Sequence, residues 1–387
     1  MSLEGRVSIE VYRHSTDRTD GPSVHVTFTQ PGRIDRLLRG KTPAQAMQIL
    51  PSIFSLCAMA QSHAAQGALD AAVGTDVLAS PVLTARQCLT EMECLRENAL
   101  RIAMDWPRFI DEPVDTRPLK RLMRLLPALS AALPEMSAAQ IIRDRALDAI
   151  AEAESLLQEF IFAEPLAVWQ ERDNTDAVRQ WAATAPTCAA RMLARVAKAG
   201  WQDAGTSPVI PLQPLDAKSM LDWLLATDKA SSSLPFLTHS HTPETTLLAR
   251  HVNDHRLAAP HTQINPERGL WDRLVGRLIE LSALPGRIRR LIDGETCPNG
   301  ARMLAPGTGL AEVNAARGVL AHVASVHEGC IIDYRILPPT RWNFDANGIA
   351  ARALRHVAEV YTKDQPLLSE LVVNAIDPCV GHTLRIN

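Results

Sequence analysis

The stretch Val372–Asn387 reads VVNAIDPCVGHTLRIN and ends the chain. Its apolar start fits a packed element, and Asp377-Pro378 then breaks it. A proline before Cys379, with Gly381 and His382 after it, makes a tight turn with exposed backbone rather than core filling. A second cysteine, Cys57, lies 322 residues earlier in FSLCAMAQSHAA (54–65), ahead of an alanine-rich run. Taken alone, Cys57 reads as a small buried apolar residue. Two thiolates from opposite ends of a chain suit a soft metal such as iron or nickel. Spacing alone does not join them.

The remainder of the chain bounds what such a turn can belong to. The 387 residues are too many for one small domain and enough for a sizeable core. Hydrophobic residues are 46% and charged residues 21%, as in ordinary globular proteins. Forty Lys and Arg face 43 Asp and Glu, so the charge balance gives no argument for nucleic acid or an anionic membrane. The opening MSLEGRVSIE carries charges where a signal peptide needs an apolar run. No apolar run approaches a membrane span. Seven scattered cysteines without a CxxC pair disfavour a zinc knuckle or thioredoxin-type site. The expectation is a reduced, cytoplasmic protein.

Residues 1–30 read as a β-hairpin, with Val7, Ile9 and Val11 alternating and then Val24, Val26 and Phe28. Thr42-Pro43 is a helix start. Helical composition dominates to about residue 200: an alanine-rich stretch from Ser62 to Val73, a stretch from Leu83 to Met104 with Leu, Ile and Met at helical spacing, and a helix from an N-cap at Ser137 to Glu159. Residues 203–216, DAGTSPVIPLQPLD, hold three prolines and a glycine and form a possible internal boundary. A helix is expected from Trp271 to Ile292, then two strands joined at His327–Gly329, and a last helix from Gly348 to Tyr361.

Other constellations are weaker. His239, His241, His251 and His255 lie in one segment; His251 and His255, four apart, suit one helical face, and the plainer reading is a polar helix start. Ser62 and His63 are adjacent and diverge on a helix. No GxSxG, GxGxxG or P-loop is present, which argues against the usual hydrolase and nucleotide folds. Arg287, Arg289 and Arg290 read as a helix C-terminus rather than a nucleic-acid patch.

Six segments in order carry a family signal. LEGRVSIEV (3–11), FSLC (54–57), PETTLLAR (243–250), AARG (315–318), ILPPTRWNF (336–344) and DPCVGH (377–382) resemble, in turn, the IEGHxRIEV opening, first CxxC, ETGPLAR, APRG, VVPTTWN and terminal DPCxxC of [NiFe]-hydrogenase large subunits. The resemblance implies an α+β, predominantly helical chain with the large-subunit fold and small mixed β regions. It implies one large domain over 1–387, in which the two ends meet at Cys57 and Cys379.

The departures from that family point further. Phe54 and His382 stand where two of the four metal-binding cysteines would be, so no nickel is expected. Gln61 stands in place of the histidine that often follows the first pair. The few residues after Cys379 are too short for a cleavable extension. This pattern resembles the HupK/HoxV-type accessory proteins of hydrogenase maturation. The resemblance implies a non-catalytic scaffold that holds or assembles an Fe(CN)2CO iron unit transiently before transfer. Its implied metal ligands are Cys57, Cys379 and His382, and its implied cargo-binding residues are Arg317, Thr340, Pro339 and Glu4. Cyanide is anionic and accepts hydrogen bonds, so an arginine and hydroxyl donors suit it. A gap-free count places Glu93 where catalytic relatives carry an aspartate over the site. The implied partners are maturation chaperones and the hydrogenase large-subunit precursor, with no nucleic acid. An alternative is a metal-free docking mimic of the large subunit that recruits those chaperones.

Overall fold

Alternation in RVSIEVY places Val7, Ile9 and Val11 on one face, and strand β1 (Arg6–Tyr12) buries them while Arg6 and Ser8 stay exposed. Strand β2 (Ser23–Thr29) pairs antiparallel with β1, Ile9 facing Val26. Strand β9 (Gly381–Ile386) lies parallel on the other side of β1, Val7 facing His382. The first and last segments of the chain therefore share one sheet. The computed structural model describes residues 5–12, 21–29, 34–54, 56–75, 81–133, 143–226, 242–258, 266–295, 300–361 and 363–387.

Between the two ends the chain is mostly helical. Helices α1 (Ile34–Leu38), α2 (Pro43–Ile53), α3 (Ala58–Val73), α4 (Pro81–Phe109) and α5 (Arg117–Ala132) come first. Thr42 and Gln45 close a capping box at the start of α2, as the Thr-Pro pair predicts. Helix α6 (Arg143–Leu157) runs into a π-helical turn (Gln158–Phe162), and α7 (Leu166–Gln170), α8 (Thr175–Thr184) and α9 (Cys188–Ala199) follow. Then come β3 (Ser207–Pro208), α10 (Ala217–Leu225), α11 (Leu247–Arg250), β4 (Glu267–Arg268) and α12 (Leu270–Ile292). An antiparallel meander, β5 (Ala301–Ala305), β6 (Thr308–Ala315), β7 (Gly318–His327) and β8 (Cys330–Leu337), precedes α13 (Pro339–Asn343), α14 (Ile349–Val360) and α15 (Gln365–Ile376).

The alanine richness of α3 has a packing cause. The helix crosses β5, β6 and β7 at backbone contact, burying Ala64, Ala65, Ala68 and Ala72. A Cβ on Gly309 would lie 2.2 Å from the Ala68 carbonyl oxygen, and one on Gly67 would lie 2.9 Å from the Ala311 Cβ. Only small residues permit this approach, and it fixes where the N-terminus of α3 points. Helix α12 packs along α4 and is buried on nearly every face, so its polar Asp272, Arg273, Arg277 and Glu280 are taken inside with it. Such groups must find internal partners, since an unpaired buried charge is costly.

The segment 203–216 is tied into the body by backbone bonds: Leu270 N–H to the Ala204 carbonyl (2.9 Å), Val209 N–H to Pro266 (3.0 Å) and Glu244 N–H to Ile210 (2.7 Å).

Several expectations are corrected. The last helix is α15, not the one ending near Tyr361. Its sequence QPLLSELVVNAI is apolar almost throughout because it is buried on most of its surface, which hides the helical period. Beta structure near the C-terminus begins at β5, well before Gly318, and β9 adds a strand that the turn-rich tail did not suggest. The helix expected to reach Glu159 ends as α6 at Leu157 and gives way to the π turn; Ser137 lies outside the described residues. His251 and His255 do not share a helical face, because α11 is a single turn ending at Arg250. His239 and His241 also lie outside the described residues. Arg287 does more than balance a helix dipole: it donates to Glu280 (2.7 Å) and Glu91 (2.9 Å).

Candidate functional site

Cys57 is the N-cap of α3 and adopts a left-handed conformation (φ 57°, ψ 34°). Such a backbone costs a non-glycine residue on the order of 1–3 kcal/mol and persists only where its surroundings hold it. Glu93 of α4 does so. Its carboxylate accepts from the Met59 and Ala60 N–H groups at 3.0 Å each, capping the orphan donors of the helix start. The acid expected over the site is thus a buried helix cap.

Cys379 sits in the bend between α15 and β9. Asp377, two residues before it, is also left-handed (φ 65°). Three arginines converge on Asp377: Arg101 from α4 (2.6 Å), Arg317 from the β6–β7 turn (3.1 Å) and Arg277 from α12 (3.3 Å). Burial opposes its ionisation, but Arg317, Arg101 and Arg277 outweigh burial and hold the carboxyl well below the usual range. Arg101 also binds Asp105.

Arg317 joins these parts. It is 5% exposed. Its Nε donates to Asp377, its Nη1 to the Cys57 sulfur at 3.6 Å, and its Nη2 to Glu97 at 3.4 Å. Glu97 is one helical turn beyond Glu93, so the carboxylate beside the arginine is Glu97. The turn is clamped from behind. Asn343 donates to the Arg317 carbonyl (3.3 Å) and accepts from the Thr245 N–H (2.9 Å). A Cβ on Gly318 would lie 2.5 Å from the Thr245 carbonyl oxygen, and its φ of +139° also favours glycine.

The two cysteines are neighbours. The interaction with Cys379, then burial, holds the Cys57 thiol well above its ordinary range. Cys379 is pushed down by its interaction with Cys57, with Arg317 and Thr340 adding to the effect and burial opposing it. Thr340 accepts from the Cys379 N–H at 3.2 Å, fixing the turn. Pro339, buried at the start of α13, packs beside the Arg317 turn, its Cβ 3.0 Å from where a Gly318 Cβ would stand.

Cys57, Cys379, Arg317, Thr340 and Pro339 therefore come together. His382 stands exposed on β9, within range of the charges of Arg101 and Asp377. Glu4 lies outside the described residues. Among the described residues no group of three His, Cys, Asp or Glu side chains is arranged to hold a metal ion. Gln61 is buried on α3 and accepts from His322 Nε2 (2.8 Å), whose Nδ1 meets the Tyr334 hydroxyl (2.6 Å). Burial holds His322 neutral, its pKa lowered to about 3. Residue-by-residue reading missed Arg101, Arg277, Glu97 and Asn343. Glu97 had one available signal, its i+4 spacing from Glu93.

No protein-family model matches the chain. Among curated proteins, the hydrogenase expression/formation protein HoxV of Cupriavidus necator is 30% identical over 379 residues, covering 92% of this chain and 91% of that protein. HupK of Azotobacter vinelandii is 30% identical over 357 residues, with the same coverage. HupV of Azotobacter chroococcum is 30% identical and covers 99% of both. Among solved structures, the Ni-Fe-Se hydrogenase of D. vulgaris Hildenborough superposes with a TM-score of 0.57 at 15% identity, over 92% of this chain and 93% of that one. An NAD+-reducing [NiFe]-hydrogenase gives 0.50 at 17% identity, over 92% of both. The fold is that of [NiFe]-hydrogenase large subunits.

Proposed function

Because the chain belongs to the family of hydrogenase expression/formation proteins that includes HoxV and HupK, we propose that it is a non-catalytic maturation scaffold whose cargo is an Fe(CN)2CO iron unit. Cys57 and Cys379 hold the iron in this reading, and the acceptor is a hydrogenase large-subunit precursor. The observation that carries it is that two cysteines from opposite ends of the chain flank one buried arginine. Soft thiolates suit low-spin iron. The Arg317 guanidinium and the Thr340 hydroxyl offer hydrogen bonds to anionic cyanide. Two thiolates in place of four, with Phe54 and His382 in the other positions, favour a carrier of iron alone over a nickel–iron catalyst.

The test is an infrared spectrum of the chain purified without oxygen from cells expressing the maturation machinery. Carbonyl and cyanide stretches are expected, and Cys57→Ser and Cys379→Ser are each expected to lose them while the fold persists. Bands unchanged in both variants overturn the ligand assignment. A band-free protein that still co-purifies with maturation chaperones makes it a docking mimic of the large subunit.

A further inference from the structure

We propose that the chain binds one chloride ion, or a halide of like size, in the cavity behind Asp377. This goes beyond the carrier reading and does not depend on it.

The cavity lies where α11, α12, α15 and the β6–β7 turn meet. Its volume is about 10 Å³, room for one water-sized body. Arg273, Arg277, Arg317 and Asp377 supply its charged lining. Three cations thus face one anion across it. Arg273 has its own carboxylate, Glu244, at 2.6 Å. Arg317 reaches Glu97 as well as Asp377. Arg277 has no acid to itself: among the described residues its acidic partner is Asp377, at 3.3 Å, the longest of the three bonds which that carboxylate accepts from arginines. The remaining Arg277 bonds go to the Asn374 and Ala375 carbonyls, at 3.3 and 3.2 Å. Carbonyls lend partial charge only, so one buried positive charge lacks a counter-charge, which is costly.

The donors are in place as well. Arg273 and Arg277 are both fully buried, and their Nε–H groups have no partner among the described residues. Asp377, the carboxylate of the lining, is already bonded to three arginines. A water brings two hydrogens that also need acceptors, whereas a halide needs donors alone. Sulfate and phosphate, with four oxygens each, are too large for the space. The bound ion completes the charge of the cluster that fixes Asp377. It thereby ties α12 to α15 behind the bend that carries Cys379.

The experiment uses the full, metal-free chain. The NMR resonance of dilute chloride is expected to broaden when the chain is added, and to sharpen again as bromide competes. The thermal midpoint is expected to rise when chloride replaces gluconate at constant ionic strength, because a ligand of the folded state alone stabilises it. Two variants should each abolish both effects. Arg277→Gln removes the uncompensated charge, and Ala375→Val keeps every charge while filling the cavity, which Ala375 also lines. The second keeps the proposal open to refutation if the first fails to fold. Equal line widths with and without the chain, or broadening that survives in Ala375→Val, overturns the proposal. So does a midpoint indifferent to the anion, since the space then takes a water alone. None of these readouts involves iron or the two cysteines, so the scaffold reading and this one stand or fall separately.

Discussion

At the scale of single residues the site is organised around Asp377, more than around its sulfurs. One buried carboxylate holds Arg101, Arg277 and Arg317, and so orders three elements at once. Removing one partner of a buried ion pair typically costs about 3–5 kcal/mol, because the others are left uncompensated. Asp377→Asn is expected to lose stability of about that size at neutral pH, read by urea unfolding. The pH dependence has a definite sign. The folded carboxyl titrates below its unfolded counterpart, so its contribution is present above the ordinary carboxylate range. It is lost as pH falls from there toward the depressed folded value. The gap between wild type and Asp377→Asn should therefore narrow on acidification; a gap that stays constant to strongly acid pH would remove the charge argument. His322 acts over a different window. Buried neutral with a pKa lowered to about 3, it favours the unfolded state progressively as pH drops below about 6.5. His322→Gln is expected to flatten that part of the stability profile, though its own packing cost lowers the whole curve.

At the scale of elements, α3 is the part whose placement matters most. Its N-cap is Cys57, and its height above the meander is set by Gly67, Gly309 and the alanines between them. Gly309→Val should push the helix away from β6 and cost about 1–3 kcal/mol, as overpacking does. The same shift should move Cys57 relative to Cys379, so the infrared bands of the iron unit should weaken against wild type; bands of unchanged intensity would uncouple the crossing from the site. Elements were legible where one face meets water. Val7, Ile9 and Val11 alternate because β1 is half-exposed, and the capping box at Thr42 announces α2. They were illegible where burial erases the pattern, as in α15, or where the chain turns after one helical turn, as in α11. The site divides in the same way. Cys57, Cys379, Arg317, Thr340 and Pro339 were found because their segments keep a family's order. Arg101, Arg277 and Glu97 were missed because they lie inside long helices, and nothing local distinguishes a guanidinium that reaches across the core from one in solvent.

At the scale of the whole molecule, the ends are joined by β9 lying parallel on β1. The strand anchors the bend that carries Cys379, while α15 fixes it from the other side. A chain truncated after Val380 is expected to keep its helical circular dichroism, to lose about 1–3 kcal/mol with the strand's hydrogen bonds, and to hold no iron unit. Full infrared bands in that truncation would show that α15 and Thr340 suffice to hold the turn. Among the described residues no helix is long and apolar enough to cross a membrane.

Joining residue 57 to residue 379 also sets a time order. A ribosome adds on the order of 5–20 residues per second, so Cys57 emerges roughly 15–60 seconds before its partner has been made. During that interval the first sulfur has no neighbour and the arginine turn has no aspartate. A nascent or prematurely ended chain cannot present the paired sulfurs, however well its helices have formed. Synthesis past residue 379 thus becomes a condition for bringing the two cysteines together, enforced by topology without any separate checkpoint.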